Sequence, residues 1–368
     1  MNFSYWEVDF RLKNVDFAII GGGIVGLSSA YHIKKRFPLS KVVVLERDFF
    51  SAGASSRNAG FACFGSPSEL IADAQQYGWE STMQTLRFRR EGLELLKEII
   101  PLQKMQGSQN GGFEIFQKQD SELLQGVESH LSELCLHCSE SLGYNPYEWG
   151  ENHWGFNDVI KVAKINGEGM LHPGMMLGEW TKLCRDMGID LIHGLEVKEV
   201  NMESGYVKVR DHEICPRNLV LCTNGLTPSL WAGLDVYPAR NQVIVTEEIL
   251  KEEWNVTFHQ RAGYVYFRSV GKRILIGGGR DLFKDQEMTS AMEISDNVIE
   301  YLRNHLAQIM GLSEINIAYQ WSGIMGLGNS KGPIIEKIGQ NTYAAVRMGG
   351  MGVAIGTWVG KRLSEIIE

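Results

Sequence analysis

The sequence predicts an α/β fold in two lobes, one built on a parallel sheet and one on a mixed or antiparallel sheet covered by helices. Three observations predict it. First, the almost wholly apolar run 15–20 gives way to glycines, a helical stretch at 27–37 and a second apolar run at 42–45. Buried strand, helix, buried strand is the pattern of a parallel sheet. Second, helix and strand alternate again at 173–187, 189–200 and 219–222, and once more at 342–346 and 353–367. Third, the runs 242–247, 264–268 and 273–277 between them alternate like antiparallel strands. One lobe is therefore expected from separated pieces, 1–75, 150–232 and 320–368, with the other, 76–149 and 233–319, inserted twice.

The remaining elements fit this frame. Residues 68–100 read as helix, which Pro101 ends. Asn110-Gly111-Gly112 is a turn before a strand at 113–116, and 120–124 starts another helix. Ser204-Gly205 marks a hairpin, and 296–310 reads as helix.

A chain of 368 residues has room for two lobes. Its 44% hydrophobic and 22% charged residues describe a soluble globular protein. A net charge of −8 argues against a nucleic-acid partner, whose phosphates need a basic footprint. The six scattered cysteines do not form a disulfide framework. The N-terminus has no signal-peptide core, and the apolar runs fall short of a membrane span, so a cytoplasmic location is expected.

Gly21-Gly22-Gly23-Ile24-Val25-Gly26 fits G-x-G-x-x-G, follows a strand and opens a helix. Glu46 ends the next strand, 20 positions after Gly26, with Arg47 beside it. Together these are a Rossmann-like nucleotide fingerprint. Gly21 permits the tight turn, Gly23 lets the backbone approach a pyrophosphate, and Gly26 lets helix pack on strand. The helix start at Ile24 and Val25 offers N–H groups to phosphate. Glu46 suits both ribose hydroxyls. The competing reading is a bare strand-to-helix turn without a ligand. The motif does not separate NAD from FAD. The following run, Ser51 to Gly60, is rich in small and polar residues that suit a second phosphate or a flavin edge; it also reads as a flexible loop.

The chain resembles the D-amino-acid oxidase superfamily of FAD enzymes, within it the glycine oxidase, sarcosine oxidase and γ-glutamylputrescine oxidoreductase branch. Gly53-Ala54-Ser55-Ser56-Arg57-Asn58-Ala59-Gly60-Phe61 is similar to that branch's G-A-S-x-R-N-x-G-F loop. Gly169 to Pro173 stands at its D-G-x-x-x-P segment and Val197 at its adenine-contacting valine. The run 219–225 resembles the sheet segment beside the cofactor, ending in Thr223, Asn224 and Gly225. Arg240-Asn241-Gln242 resembles R-G-Q, and 264–279 (YVYFRSVGKRILIGGG) the Y-x-R…R-x-L-x-G-G hairpin. Trp321-Ser322-Gly323 with Pro333 resembles W-x-G…P, and Gly349-Gly350-Met351-Gly352-Val353 the closing turn.

The resemblance implies FAD, held without a covalent bond because no cysteine or histidine lies between Trp321 and Gly352. It implies a substrate lobe above the flavin and oxidation of an amine or amino-acid C–N bond. Departures are the missing aspartate before Gly169, with His172 beside Pro173; Asn241 for glycine; Arg347 for glycine; and Met325 where glycine oxidases place an arginine for the substrate carboxylate.

In such enzymes the flavin does the redox work. The turn 349–352, opening a helix, suits the stabilisation of negative charge at the flavin edge. Tyr264, Tyr266 and Arg268 share one face of a strand and, with Met325 and Arg347, are the candidate catalytic and substrate-binding residues. With Met325 in place, amines without an α-carboxylate are expected to be preferred. Arg57, Arg268, Arg280 and Arg347 are the arginines able to overturn that. Glycine, sarcosine or D-amino acids are the alternative substrates. An NAD-linked reductase, an RNA-modifying FAD enzyme and a non-enzymatic nucleotide binder are the other classes. Oxygen or another electron acceptor stays open. No metal is expected: Cys135-Leu136-His137-Cys138 lacks a second pair at zinc spacing. His153, His172 and His259 read as structural.

Overall fold

The computed structural model describes residues 2–368. Its first sheet has six strands in the order Ile334–Lys337, Thr342–Val346, Asn218–Leu221, Phe17–Ile20, Val42–Leu45 and Asp190–Ile192. All neighbours are parallel except the first pair. Phe17–Ile20 and Val42–Leu45 are buried along their whole length, which is why they read as unbroken apolar runs rather than alternating ones. Helices Ile24–Arg36 and Gly352–Ile366 pack closely. A Cβ on Gly360 would come 2.5 Å from Ser28 Oγ, so glycine sets their separation.

The second sheet has eight strands: Ile317–Leu327, Tyr237–Thr246, Arg273–Gly278, Val265–Val270, Thr257–Gln260, Gly112–Gln117, Val159–Ile165 and Tyr147–Gly150. It is mixed, because Thr257–Gln260 runs parallel to Gly112–Gln117 while its other pairs are antiparallel. Helix Asp296–Met310 covers one face, where Leu302 and Leu306 join Ile244, Phe258 and Phe267 in an apolar core. Beside that core Arg240 pairs with buried Glu287 at 2.7 Å. On the other face Val243, Val245 and Leu275 pack with Ala59 and Phe61.

Several boundaries move. The single helix read at 68–100 is two, Pro67–Tyr77 and Trp79–Ile99, because Gly78 takes φ +82°. The strand read at 189–200 is divided: Asp190–Ile192 extends the first sheet, while Val197–Val200 enters a small antiparallel sheet with Val207–Val209 and His212–Ile214. The lobe boundary placed at 150 falls inside the eight-stranded sheet, since Val159–Ile165 pairs with Gly112–Gln117. The boundary at 320 cuts the strand Ile317–Leu327. Thr257–Gln260 has four buried residues, three of them polar, and so no period-two pattern for sequence to reveal.

Candidate active site

At the C-terminal end of the parallel strands, three glycines shape one end of a large cavity. Gly21 has φ +107°, and a Cβ there would sit 2.7 Å from the Cys222 carbonyl. A Cβ on Gly26 would come 1.9 Å from the Gly21 carbonyl, and one on Gly23 would come 2.8 Å from Ser55 Oγ. Gly21, Gly23, Ile24 and Val25 line the cavity, whereas Gly26 acts by packing. The first N–H groups of a helix have no intrahelical acceptor, and here Ile24 N donates to Ser55 Oγ at 3.0 Å. Glu46 lies opposite: one oxygen accepts from Gly22 N at 2.8 Å, the other from Asp48 N at 3.0 Å. Arg47 and Val197 line the same end.

The loop that follows forms a single helical turn, Ala54–Arg57. Ala54, Ser55, Arg57 and Asn58 face the cavity. Ser56 does not; its hydroxyl donates to the Ser51 carbonyl at 2.6 Å. Asn58 ties the loop to itself through Ser55 O and Gly60 N. Arg57 fastens it to the second sheet, donating to the carbonyls of Ala52 at 2.9 Å and Ser322 at 3.0 Å. The Trp321 indole returns a bond to Arg57 O at 2.9 Å.

The cavity, about 1290 Å³, continues under the eight-stranded sheet. Register decides what lines it. Directly paired positions bring Trp321, Val243, Gly277, Tyr266 and His259 side by side, and paired residues point to the same face; of these Val243, Tyr266 and His259 line the cavity. Gly277 leaves room for its neighbour: a Cβ there would be 2.8 Å from the Tyr266 ring. Asn241 donates to Tyr266 Oη at 2.9 Å. Burial pushes the Tyr266 phenol well up, so it stays protonated. Tyr264 stands just before the strand, 42% exposed, at the cavity mouth.

Arg268 shares the tyrosines' face but does not line the cavity, a correction to its place among the candidate catalytic residues. Its guanidinium donates to the carbonyls of Ala59 at 2.7 Å, Ser269 at 3.2 Å and Leu171 at 3.3 Å. It is a strut between the sheet and the loop after Arg57. Burial pulls its pKa down to about 10.

Thr223, Asn224, Gly323, Met325 and the turn Gly349 to Val353 close the cavity. Gly225 stays behind the wall, where a Cβ would be 2.2 Å from the Met325 carbonyl. Asn224 Oδ1 accepts from Arg347 N at 3.0 Å and Met348 N at 3.1 Å, pinning the turn. Arg347 has φ +67°, a conformation that favours glycine. Its guanidinium is engaged by Asp235 at 2.7 Å and by the Gly332 carbonyl at 2.8 Å.

Sequence reasoning missed a group of paired charges at the cavity wall. Arg89 pairs with Glu69 at 3.0 Å, and Lys331 with Asp73 at 2.5 Å, all four at the cavity wall. His259 Nε2 lies 2.8 Å from Glu168, whose other oxygen accepts from Phe64 N at 3.1 Å. Burial alone would lower His259, but Glu168 overrides it and holds the imidazole above its ordinary range. With Cys63, this pair is a cluster whose ligand-type atoms lie within 4.8 Å of one another. These residues come from separate segments, so no local spacing announces them. Elsewhere, His172 accepts from Met175 N at 3.3 Å as a helix cap. Cys135 and Cys138 are free thiols on one helix, Ser121–Leu142, and burial pushes Cys138 up to about 12.

A dinucleotide fits this cavity by its chemistry: crowded glycines and a helix start at one end, a second glycine turn and helix start at the other. The sequence matches the family described as DAO, FAD dependent oxidoreductase, over residues 16–366, and the chain belongs to that family. It is an FAD-dependent oxidoreductase. Sarcosine oxidase subunit beta of Rhodobacter capsulatus is 23% identical over 90% of this chain and 79% of its own. γ-Glutamylputrescine oxidoreductase of Escherichia coli is 20% identical over 96% of this chain and 83% of its own. Among solved structures, glycine oxidase from Geobacillus kaustophilus shares the fold with a TM-score of 0.71, at 18% identity over 96% of this chain and 95% of that one. Among the described residues no helix is long and apolar enough to cross a membrane.

Proposed function

We propose that the chain oxidises the C–N bond of an amine, with hydride leaving the carbon beside nitrogen. Bound FAD supplies the hydride acceptor. The observation that carries the reading is the continuity of one cavity from the Gly21–Glu46 end, past the Gly349–Gly352 turn, to the tyrosine face of the eight-stranded sheet. Gly21, Gly23 and the start of helix Ile24–Arg36 hold the pyrophosphate by backbone N–H groups. Glu46 would take the ribose and Val197 would flank the adenine, both lining this end of the cavity. The start of helix Gly352–Ile366 directs its partial positive charge at the flavin edge where negative charge accumulates.

At the reacting end, Tyr266, fixed by Asn241, presents a neutral phenol. It orients the substrate amine by hydrogen bonding rather than by charge. Met325 offers an apolar wall where an arginine would otherwise bind an α-carboxylate. Arg57 and Arg347 have guanidiniums already engaged by protein acceptors, Arg268 lies outside the cavity, and Arg280 lies over the Tyr264 ring, just past a strand two removed from that of Met325. The preferred substrates are therefore amines without an α-carboxylate.

The test is anaerobic addition of matched amines, each with and without its α-carboxylate, followed by flavin absorbance. Bleaching by the carboxylate-free member with the larger kcat/KM supports the reading. Consistent preference for the α-amino acid overturns it. The FAD is held non-covalently, so acid precipitation leaves the yellow colour in the supernatant; colour in the washed pellet contradicts that.

A further inference from the structure

Five arginines line the cavity: Arg47, Arg57, Arg89, Arg280 and Arg347. Four have acceptors. Arg57 holds the Ala52 and Ser322 carbonyls. Arg89 holds Glu69, Arg347 holds Asp235, and Arg47 lies 3.4 Å from Asp48. Arg280 differs. Its side chain makes no hydrogen bond or ion pair among the described residues, although it is half-buried. Asp281, next in the chain, does not pair with it; its Oδ2 is held by Arg261 at 2.6 Å.

Arg280 is nevertheless held in place. Gly278 and Gly279, with φ +117° and +77°, turn the chain off the end of strand Arg273–Gly278. Gly279 N donates to the Tyr264 carbonyl at 2.8 Å, so the two segments are tied. The guanidinium then lies over the Tyr264 ring, 5.8 Å from its centroid. Lys284, four residues further along the chain, also lines the cavity. An arginine braced on an aromatic face, with its N–H fork open, is a receptor for a planar anion.

We propose that Arg280, braced on Tyr264, binds a substrate carboxylate that lies away from the carbon being oxidised. This rests on the amine-oxidising reading above. Two features place the anion at a distance. Tyr264 marks the cavity mouth. Met325, beside the closing turn, is on strand Ile317–Leu327, and Tyr237–Thr246 separates that strand from Arg273–Gly278. Two strand spacings amount to about 10 Å. The substrate class is an amine whose carboxylate is several bonds from the reacting nitrogen, a chain with a basic end at the flavin and an acidic end at the mouth.

The experiment compares amines bearing a remote carboxylate with their methyl esters, on the holoenzyme and on Arg280→Met and Arg280→Lys. A charge-assisted pair of this kind is worth about ten- to hundredfold in binding. Arg280→Met is expected to lower kcat/KM for the acid by that factor, mainly through KM, and to leave the ester unchanged. Arg280→Lys, keeping the charge without the fork, recovers part of the loss. A second readout needs no turnover: pentanoate, which has no amine to oxidise, perturbs the flavin spectrum, and its Kd weakens in Arg280→Met. Equal losses for acid and ester, or a pentanoate Kd indifferent to Arg280→Met, overturn the proposal. The two readings separate cleanly. If pentanoate binding depends on Arg280 but no amine bleaches the flavin, the anion site stands and the oxidation fails. If amines turn over and Arg280→Met changes nothing, the reverse holds.

Discussion

The two ends of the cavity are built by different means. At the glycine-rich end, a contiguous stretch of six residues does most of the shaping, and the groups offered are backbone N–H. At the end under the eight-stranded sheet, side chains from at least four separated strands meet because sheet register aligns them. Local geometry makes the first end; pairing across the sheet makes the second. The first tolerates almost no added atom, whereas the second is set by hydrogen bonds and buried charge that side-chain chemistry tunes.

The largest effect is expected at the crowded end. Gly26→Ala places a methyl 1.9 Å from the Gly21 carbonyl. Helix and strand must separate, at a cost of about 1–3 kcal/mol or more. The variant should lose bound FAD on purification and melt at a lower Tm. A yellow protein with wild-type Tm would break the claim that packing shapes this end.

Glu46→Ala comes next. Charge-assisted bonds are each worth about 1.5–3 kcal/mol, so FAD affinity should fall about ten- to hundredfold. Because Glu46 also receives Gly22 N and Asp48 N, part of the loss reflects a looser loop. Fluorescence titration of the apoprotein measures it, and an unchanged Kd removes Glu46 from the ribose.

Under the eight-stranded sheet, Glu114 is directly paired with His259 and continues the row that crosses the sheet. It is buried and receives hydrogen bonds from Ser66 Oγ, Ser68 N and Ser68 Oγ. Burial outweighs these donors and raises its pKa from 4.5 to about 6. A raised carboxyl holds its proton more tightly in the folded state. Its contribution is complete below pH 4.5 and declines as pH rises through 6, by about 2 kcal/mol. Denaturation of wild type and Glu114→Gln across that window should show the wild type losing this increment and the variant not. Parallel profiles would show that Glu114 titrates normally.

The smallest effect is expected from Asn241→Ala, which frees Tyr266 Oη. One neutral hydrogen bond is worth about 0.5–1.5 kcal/mol, so kcat/KM should fall up to about tenfold while FAD affinity stays unchanged. An equal fall in FAD affinity would mean that the two ends are not separable.

This contrast also explains what the sequence made legible. The parallel sheet and the glycine-shaped end of the cavity were legible because Gly21 to Gly26 and Glu46 lie within one strand-helix-strand unit. Arg268 looked like a cavity residue because alternation gives a face but not what an arginine meets there; the Ala59 and Leu171 carbonyls come from distant segments. The Glu69, Asp73 and Lys331 group and the His259–Glu168 pair stayed hidden for the same reason. Met325 and Arg347 were visible as departures, but only the Asp235 pair shows that Arg347 faces other work.

The central claim is that hydride leaves the carbon beside an amine nitrogen. Single-turnover bleaching of the flavin, without oxygen and at saturating amine, measures that step directly. With deuterium at that carbon, the bleaching rate should fall several-fold while the Kd for the amine is unchanged. Bleaching at the same rate for both isotopologues, or no bleaching by any amine, would contradict the account.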